Sequence, residues 1–314
     1  MTEQDNVVDI EQPDEKEEEV APSYDLSDIK SLIALFKAES ADGTKPYVAE
    51  HIRSLIDSHG LSDYKVIFLY DEDNSINYFH SNKIYNAVSE NNNQKDILLV
   101  LLSPGGKIEP AYLISKTCKR LCKDRFVIAI PRRAKSAATL ISLGADELHM
   151  GLLSELGPID PQIGGFPALG LANALERIAT LAEQHPGASD VFSKYLINKL
   201  KMKDLGYFER INESAAQYAE RLLAGKTLPE ENSPEELASH FVNHYKDHSF
   251  VIDTDEASTL LGDAIVKEGT NEYKFSNEIY QFIDFVKFLY PLFFKKEMRY
   301  VGSVKDGIDL NDKE

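Results

Sequence analysis

At 314 residues the chain can bury one full core with room for extensions, and its 43% apolar and 27% charged residues are ordinary for a globular protein. Its formal net charge of −18 is not ordinary. That sign argues against nucleic acid or an anionic membrane as partner, because phosphate binding needs clustered lysines and arginines.

Residues 1–20 hold nine acidic side chains against Lys16 alone. So charged a stretch buries too little apolar surface to offset its ordering entropy, which predicts a disordered acidic tail over residues 1–24. Residues 25–58 read as helical: Leu32, Ile33, Leu35 and Phe36, then Ile52, Leu55 and Ile56, recur at helical spacing before Gly60. A regular alternation follows. Residues 65–70 form a short β-rich run, a helical stretch passes through Tyr85, Ala87 and Val88, and residues 96–102 form a strand too continuously apolar to have a wet face. That strand ends in Ser103-Pro104-Gly105-Gly106. A helix over 109–123 carries Cys118 and Cys122 on one face. No second Cys/His pair completes a zinc site, so both read as buried thiols and the setting as a reducing cytoplasm without a signal peptide. A strand over 126–130, a helix over 136–144 and a strand over 147–150 continue the pattern, which implies an α/β fold with a mainly parallel sheet and flanking helices.

Residues 169–224 are predicted helical with breaks at Gly187 and Gly206, followed by a helix over 235–245, a strand over 250–252 and a helix over 255–261. The last apolar helix, 277–290, shows apolar residues around most of its circumference and so belongs in the core or against another subunit. It is too short to span a membrane and is interrupted by Gln281, Asp284 and Lys287. The expected division is a tail over 1–24, a helical N-terminal extension over 25–62, a catalytic domain over 63–270, and a C-terminal helix and tail over 271–314.

Two places hold residues suited to chemistry. The turn at 103–106 lies at the carboxyl end of a buried strand, where open parallel sheets bind ligands, and its two glycines can aim amide N–H groups outward as an oxyanion hole. No Gly-Lys-Ser/Thr follows, so it is not a nucleotide-binding loop. The second place is Pro131-Arg132-Arg133-Ala134-Lys135-Ser136-Ala137-Ala138-Thr139, which opens a helix with Ser136 among small neighbours that admit a substrate backbone. Alone, Ser136 reads as a helix N-cap. Lys107 and Lys135 beside the site read as solvated charge. His240, His244 and His248, four residues apart, read as surface or packing histidines, because the Glu of a zinc-binding His-Glu-x-x-His is absent.

The pairing of a Pro-Gly-Gly turn, a helix, a strand and a serine before small residues resembles the Clp protease proteolytic subunit and signal peptide peptidase A. Gly-Pro-Ile-Asp-Pro-Gln at 157–162, the stretch from His244 to Asp253, and Glu256-Ala257 resemble the serine dehydrogenase proteinase family of the same Clp-protease/crotonase superfamily. The resemblance runs over about residues 63–266 and implies a Clp-protease/crotonase-like fold, to which the flanking sequence adds N-terminal and C-terminal helical extensions. It implies Ser136 as nucleophile, and Gly105 or Gly106 with the amide of Ala137 as oxyanion hole. Ala138 stands where the superfamily usually has glycine. The Clp-type histidine would fall near Asp160, where none is present, so the base is sought as in signal peptide peptidase A: Lys203, followed by Asp204, with Lys194, Lys199 and Lys201 as rivals. The expected function is a Ser/Lys peptidase acting on peptides or unfolded protein, in a homo-oligomer, without cofactor or metal and without nucleic acid or membrane as partner. Two alternatives remain on the same fold. A crotonase-like acyl-CoA enzyme would need an acid such as Glu109 or Glu155, and a non-catalytic scaffold would need neither.

Overall fold

The computed structural model describes the backbone of residues 24–90, 95–163, 166–199 and 202–312, and their side chains except at 163, 166–169, 171–172, 197–199, 202–205 and 208. The acidic stretch up to residue 23 lies outside the described residues.

The N-terminal extension forms two helices, α1 (Ile29–Ala38) and α2 (Thr44–Ser58), with the chain turning at 39–43. The first is started by Asp28, whose carboxylate accepts the N–H of Ser31 at 3.0 Å. The alternation then unfolds as expected from the apolar runs: β1 (Tyr64–Tyr70), α3 (Tyr78–Ser89), β2 (Asp96–Leu102), α4 (Ile108–Leu121), β3 (Phe126–Ala129), the two-residue β4 (Arg133–Ala134), α5 (Ala137–Leu143) and β5 (Glu147–His149). Short strands β6 (Glu155–Leu156), β7 (Gln162–Ile163) and β8 (Phe166–Pro167) lead into α6 (Ala168–Gln184), α7 (Ser189–Lys199) and α8 (Met202–Leu223). The chain closes with α9 (Pro234–Ser239) and a π-turn at His240–His244, α10 (Thr254–Leu261), β9 (Val266–Lys267), α11 (Asn271–Phe294), β10 (Lys296–Ser303) and β11 (Ile308–Asp312).

Seven strands form the central sheet in the order β11-β10-β1-β2-β3-β5-β9. Five of them, from β1 to β9 in that order, run parallel, and β10 adds antiparallel to β1 with Tyr70 opposite Tyr300. Every residue of β2 after Asp96 is buried, as a strand with helices on both faces requires. One layer packs α3, α4, α5, α8 and α9 on one face of the sheet; the other packs α1, α2 and α11 on the opposite face. At the amino ends of the strands Arg125 ties β1, β2 and β5 together through the hydroxyl of Tyr64 at 3.2 Å, Asp96 at 3.0 Å and Glu147 at 3.1 Å.

Three expectations are corrected. Gly206 does not end a helix: it sits exposed inside the 22-residue α8, whose buried Ala215, Ala219, Leu222 and Leu223 outweigh the roughly 1 kcal/mol that an interior glycine costs. Residues 250–252 make only a single bridge, Leu156 to Ile252, because Phe250 and Val251 face solvent. Beyond α11 the chain is no plain tail but the β10–β11 hairpin that completes the sheet, and α11 itself is 24 residues long.

Candidate active site

Ser136 stands where β4 passes into α5, at the carboxyl end of the parallel sheet. Its backbone has φ 52° and ψ −116°, a conformation an L-residue adopts only at a cost of about 1–3 kcal/mol and only where its surroundings over-determine it. The surroundings are visible. Upstream, Ser103 N–H donates to Arg133 O at 3.0 Å and Lys135 N–H donates to Ser103 O at 3.1 Å, so the end of β2 grips the segment. Arg132 donates to Asn277 of α11 at 2.8 Å and lies 4.2 Å from the ring centroid of Tyr280. Downstream, Thr139 Oγ1 lies 2.7 Å from the carbonyl oxygens of both Ala134 and Gly157 and accepts the N–H of Gly157 at 3.0 Å. All seven residues of α5 are buried, so the helix cannot shift to relax its first turn. Ser136 makes no side-chain capping bond, so the N-cap reading of the sequence does not describe it. Such a strand-to-helix elbow presents a side chain instead of folding it back.

The Pro-Gly-Gly turn packs against this elbow. Gly105 has φ 101°, and a Cβ there would lie 2.6 Å from Lys135 O and 2.7 Å from Ser136 Cβ. Gly106 has φ 150°, and a Cβ there would lie 2.3 Å from Ile76 N. Both positions are therefore closed to any side chain. The two amides differ. Gly105 N–H donates to Ser103 Oγ at 3.2 Å, whereas Gly106 N–H and Ala137 N–H have no acceptor among the described residues. Of the two glycines expected at the oxyanion hole, only Gly106 has an uncommitted donor. Ala138, at the superfamily's usual glycine, is buried in the core and donates its N–H to Lys135 O at 2.8 Å, away from the cleft lining.

A cleft of about 630 Å³ opens beside Ser136. One wall is Gly106, Lys107, Ile108 and Glu109; the facing wall is Tyr207, Arg210, Ile211 and Ser214 of α8, with Ile159, Pro161 and Gln162 between. Lys203 lies on the same helix, but its side chain, like those of Lys199 and Lys201, lies outside the described residues. Lys194 is ion-paired with Asp190 at 2.7 Å. Lys135, adjacent to the serine, is not solvated charge: it bonds Glu155 at 2.8 Å, Phe250 O at 3.1 Å and Leu156 O at 3.2 Å. That ion pair also occupies Glu155, one of the two acids an acyl-CoA enzyme would need, while Glu109 lines the cleft.

His248, which the sequence reads as a surface or packing histidine, is a further functional candidate. Its Nδ1 lies 2.5 Å from Asp160 Oδ1, at the position where a Clp-type histidine was sought and an aspartate found. The hydrogen bond to Asp160 raises the imidazole above its ordinary value, against the opposing effect of partial burial. Asp160 also accepts from Gln162 Nε2 at 3.0 Å, and its neighbours Ile159 and Pro161 line the cleft. His240 stacks on His244 at 4.2 Å and its Nε2 lies 3.1 Å from the Tyr245 hydroxyl. Among the described residues no group of three or more His, Cys, Asp and Glu is arranged to hold a metal ion, and no helix is long and apolar enough to cross a membrane. Cys118 and Cys122 are buried and unpaired, and burial pushes both thiols up.

Two uncharacterized proteins of Methanocaldococcus jannaschii are similar to this chain. One is 34% identical over 127 residues, 40% of this chain and 41% of the relative; the other is 30% identical over 149 residues, 48% of each. The chain thus spans about half the length, or less, of the curated relatives it matches. Among solved structures, the 1510-N membrane-bound stomatin-specific protease with a bound substrate peptide is 16% identical over 67% of this chain and 76% of its own, with a TM-score of 0.42. ClpP1 from Listeria monocytogenes is 15% identical over 70% of this chain and 98% of its own, with a TM-score of 0.39. The family model of the ClpP-like SDH-type serine proteinases matches residues 62–226, a span that runs from β1 through the glycine turn and the Ser136 elbow to the end of α8. Built on that fold over more than half its length, the chain belongs to the ClpP-like SDH-type serine proteinases.

Proposed function

We propose that the protein is a peptidase that cleaves peptides or unfolded protein through Ser136. The observation that carries this reading is the strained elbow: a serine held at positive φ, without a capping bond, at the lip of a cleft. In the first step Ser136 Oγ bonds to the substrate carbonyl carbon while its proton passes to the base. The carbonyl oxygen, now carrying the charge, accepts from Gly106 N–H and Ala137 N–H. Collapse breaks the C–N bond, the base returns the proton to the leaving amine, and water later hydrolyses the acyl-enzyme by the same route.

The base is Lys203. It lies four residues before Tyr207 and seven before Arg210, both of which line the cleft, and this helical spacing supports the reading. Its amine must be neutral to act, which burial against substrate favours. A second reading, favoured by the 2.5 Å bond between His248 and Asp160, makes His248 the base. Labelling with a fluorophosphonate decides. Ser136→Ala should lose labelling by at least ~10³-fold, and equal labelling of wild type and this variant would overturn the mechanism. A loss of ~10²-fold or more in Lys203→Ala, with His248→Asn within threefold of wild type, assigns the lysine; the reverse pattern assigns the histidine.

The proposal extends to a homo-oligomer built on α11. Phe282, which packs on the ring of His51 at 4.5 Å, is not on the outer strip; Phe288 and Leu292 are, with Phe285 stacked on Phe288 at 6.4 Å. Exposed aromatic and aliphatic side chains of this kind favour a second copy as cover. Light scattering on wild type and on Phe288→Glu/Leu292→Glu tests it: a wild-type monomer removes the idea.

A further inference from the structure

Behind the turn that carries Gly106 lies a buried pair that the chemistry above does not use. Asp71, directly after β1, is 1% exposed, and His80, in the first turn of α3, is 0% exposed. Asp71 Oδ1 accepts from Asp73 N–H at 3.2 Å and from Asn74 N–H at 3.0 Å, and its Oδ2 faces His80 Nε2 at 3.1 Å. His80 Nδ1 accepts the N–H of Asn77 at 3.2 Å. The ring proton therefore sits on Nε2 and is donated to Asp71. Burial pushes the Asp71 carboxyl up, but the bonds from His80 and Asn74 together hold it below its ordinary value.

These bonds pin residues 71–77 at both ends, and Ile76, next to the second pinned end, holds the glycine turn. Ile76 N–H donates to Gly105 O at 2.7 Å, and Ile76 O accepts from Lys107 N–H at 2.9 Å. Gly106 lies between these bonds in a parallel bridge, pressed on the Ile76 backbone. Alternate residues of a bridged strand turn their peptide groups to opposite sides, so the Gly106 N–H points away from Ile76. Ser75, one residue earlier, lines the cleft itself.

We propose that the Asp71–His80 pair positions the oxyanion hole: it fixes Ile76, and through Ile76 the Gly106 amide, opposite the Ser136 elbow. The inference rests on Gly106 acting as an oxyanion donor. His80→Leu removes both of the histidine's bonds. Asp71→Asn, nearly isosteric, sets an N–H against His80 Nε2–H. His80→Gln keeps an N–H toward Asp71.

The test follows fluorophosphonate inactivation of Ser136, separating the maximal rate from the half-saturating concentration, with melting curves to establish folding. The expected result is a maximal rate ~10–100-fold lower in His80→Leu and Asp71→Asn, as when an oxyanion donor is displaced. Half-saturation should stay within threefold of wild type, and His80→Gln should regain part of the rate. Folded variants that inactivate within threefold of the wild-type rate overturn the proposal, as does a lowered melting temperature with an unchanged rate. Wild type that labels no better than Ser136→Ala overturns the nucleophile reading on which the inference stands, a distinct outcome. Should the variants fail to fold, hydrogen exchange on wild type replaces them. The amides of Asn74, Ile76, Asn77 and Lys107 should open together, and Ile76 and Lys107 exchanging more than tenfold faster than Asn74 and Asn77 breaks the coupling.

Discussion

The two faces of the sheet are built from different materials. The face under the site is rich in alanine: Ala111, Ala137, Ala138, Ala145, Ala215 and Ala219 let α4, α5 and α8 approach one another closely. The opposite face is aromatic: Phe36, Phe68, Tyr70, Phe275, Tyr290 and Tyr300 fill it, with Phe68 stacked on Tyr300 at 4.3 Å. Small residues bring backbones near enough to be positioned by one another, whereas large ones supply buried area. The strained serine and both tight glycines belong to the first face. Helices α1, α2 and α11, from the two ends of the chain, make the second. What the sequence suggests are extensions thus cover one whole face of the sheet, and α11 meets the elbow segment through Arg132.

The largest expected effect that tests this contrast is Phe36→Ala. Phe36 packs on Tyr290 at 5.1 Å and Phe294 at 5.5 Å. Its loss should cost about 3–5 kcal/mol and lower the melting temperature by roughly 10 °C, yet leave the fluorophosphonate labelling rate of folded molecules unchanged. A proportionate fall in labelling would show that the aromatic face reaches the site. On the alanine face, Ser136→Gly should do the opposite. Removing the side chain at φ 52° releases about 1–3 kcal/mol, so thermal unfolding should move up by a few degrees while labelling vanishes. Ser136→Ala keeps a Cβ and should show no such gain; equal melting of the two variants would mean the elbow is relaxed. Thr44→Val removes the 2.8 Å bond to the Tyr290 hydroxyl and should cost about 1 kcal/mol in a denaturant titration, again without a change in labelling.

The smallest effect concerns pH. The pKa of His248 is raised in the folded protein, so its bond to Asp160 contributes fully below pH 6.5, as long as Asp160 is charged, and the contribution fades as pH rises through the raised value. The His248 side chain is 33% exposed, and screening keeps the effect under about 1 kcal/mol. Melting curves of wild type and His248→Gln should lie furthest apart near pH 6 and converge above it. A gap that widens with pH would place the proton elsewhere.

The parts legible in the sequence were those with a short-range signal. Strands β1, β2 and β3 could be read because a parallel strand covered on both sides is a continuous apolar run. The order of glycine turn and serine elbow was readable because both are local. Other features left no such trace. The pair strands β4 and β6 hold two residues each, too few for a period. In β10, Lys296, Glu297 and Arg299 alternate with buried Met298 and Tyr300, and after a long helix this reads as a polar tail. His248 and Asp160 are 88 residues apart and meet only because the chain after the π-turn folds back along β6. The positive φ of Ser136 is imposed by contacts from four separate segments, and no residue type encodes it.

The pairing of β10 with β1 also has a consequence in time. Lys296–Ser303, which covers one edge of Tyr64–Tyr70, is made about 230 residues after it. At about 5–20 residues per second that edge stays open for on the order of tens of seconds. Val66, Ile67, Phe68, Leu69 and Tyr70 form a continuous apolar run of the kind that recruits foreign strands while unpaired. Until β10 is made, the nascent chain therefore carries an aggregation hazard in the strand that leads into Asp71.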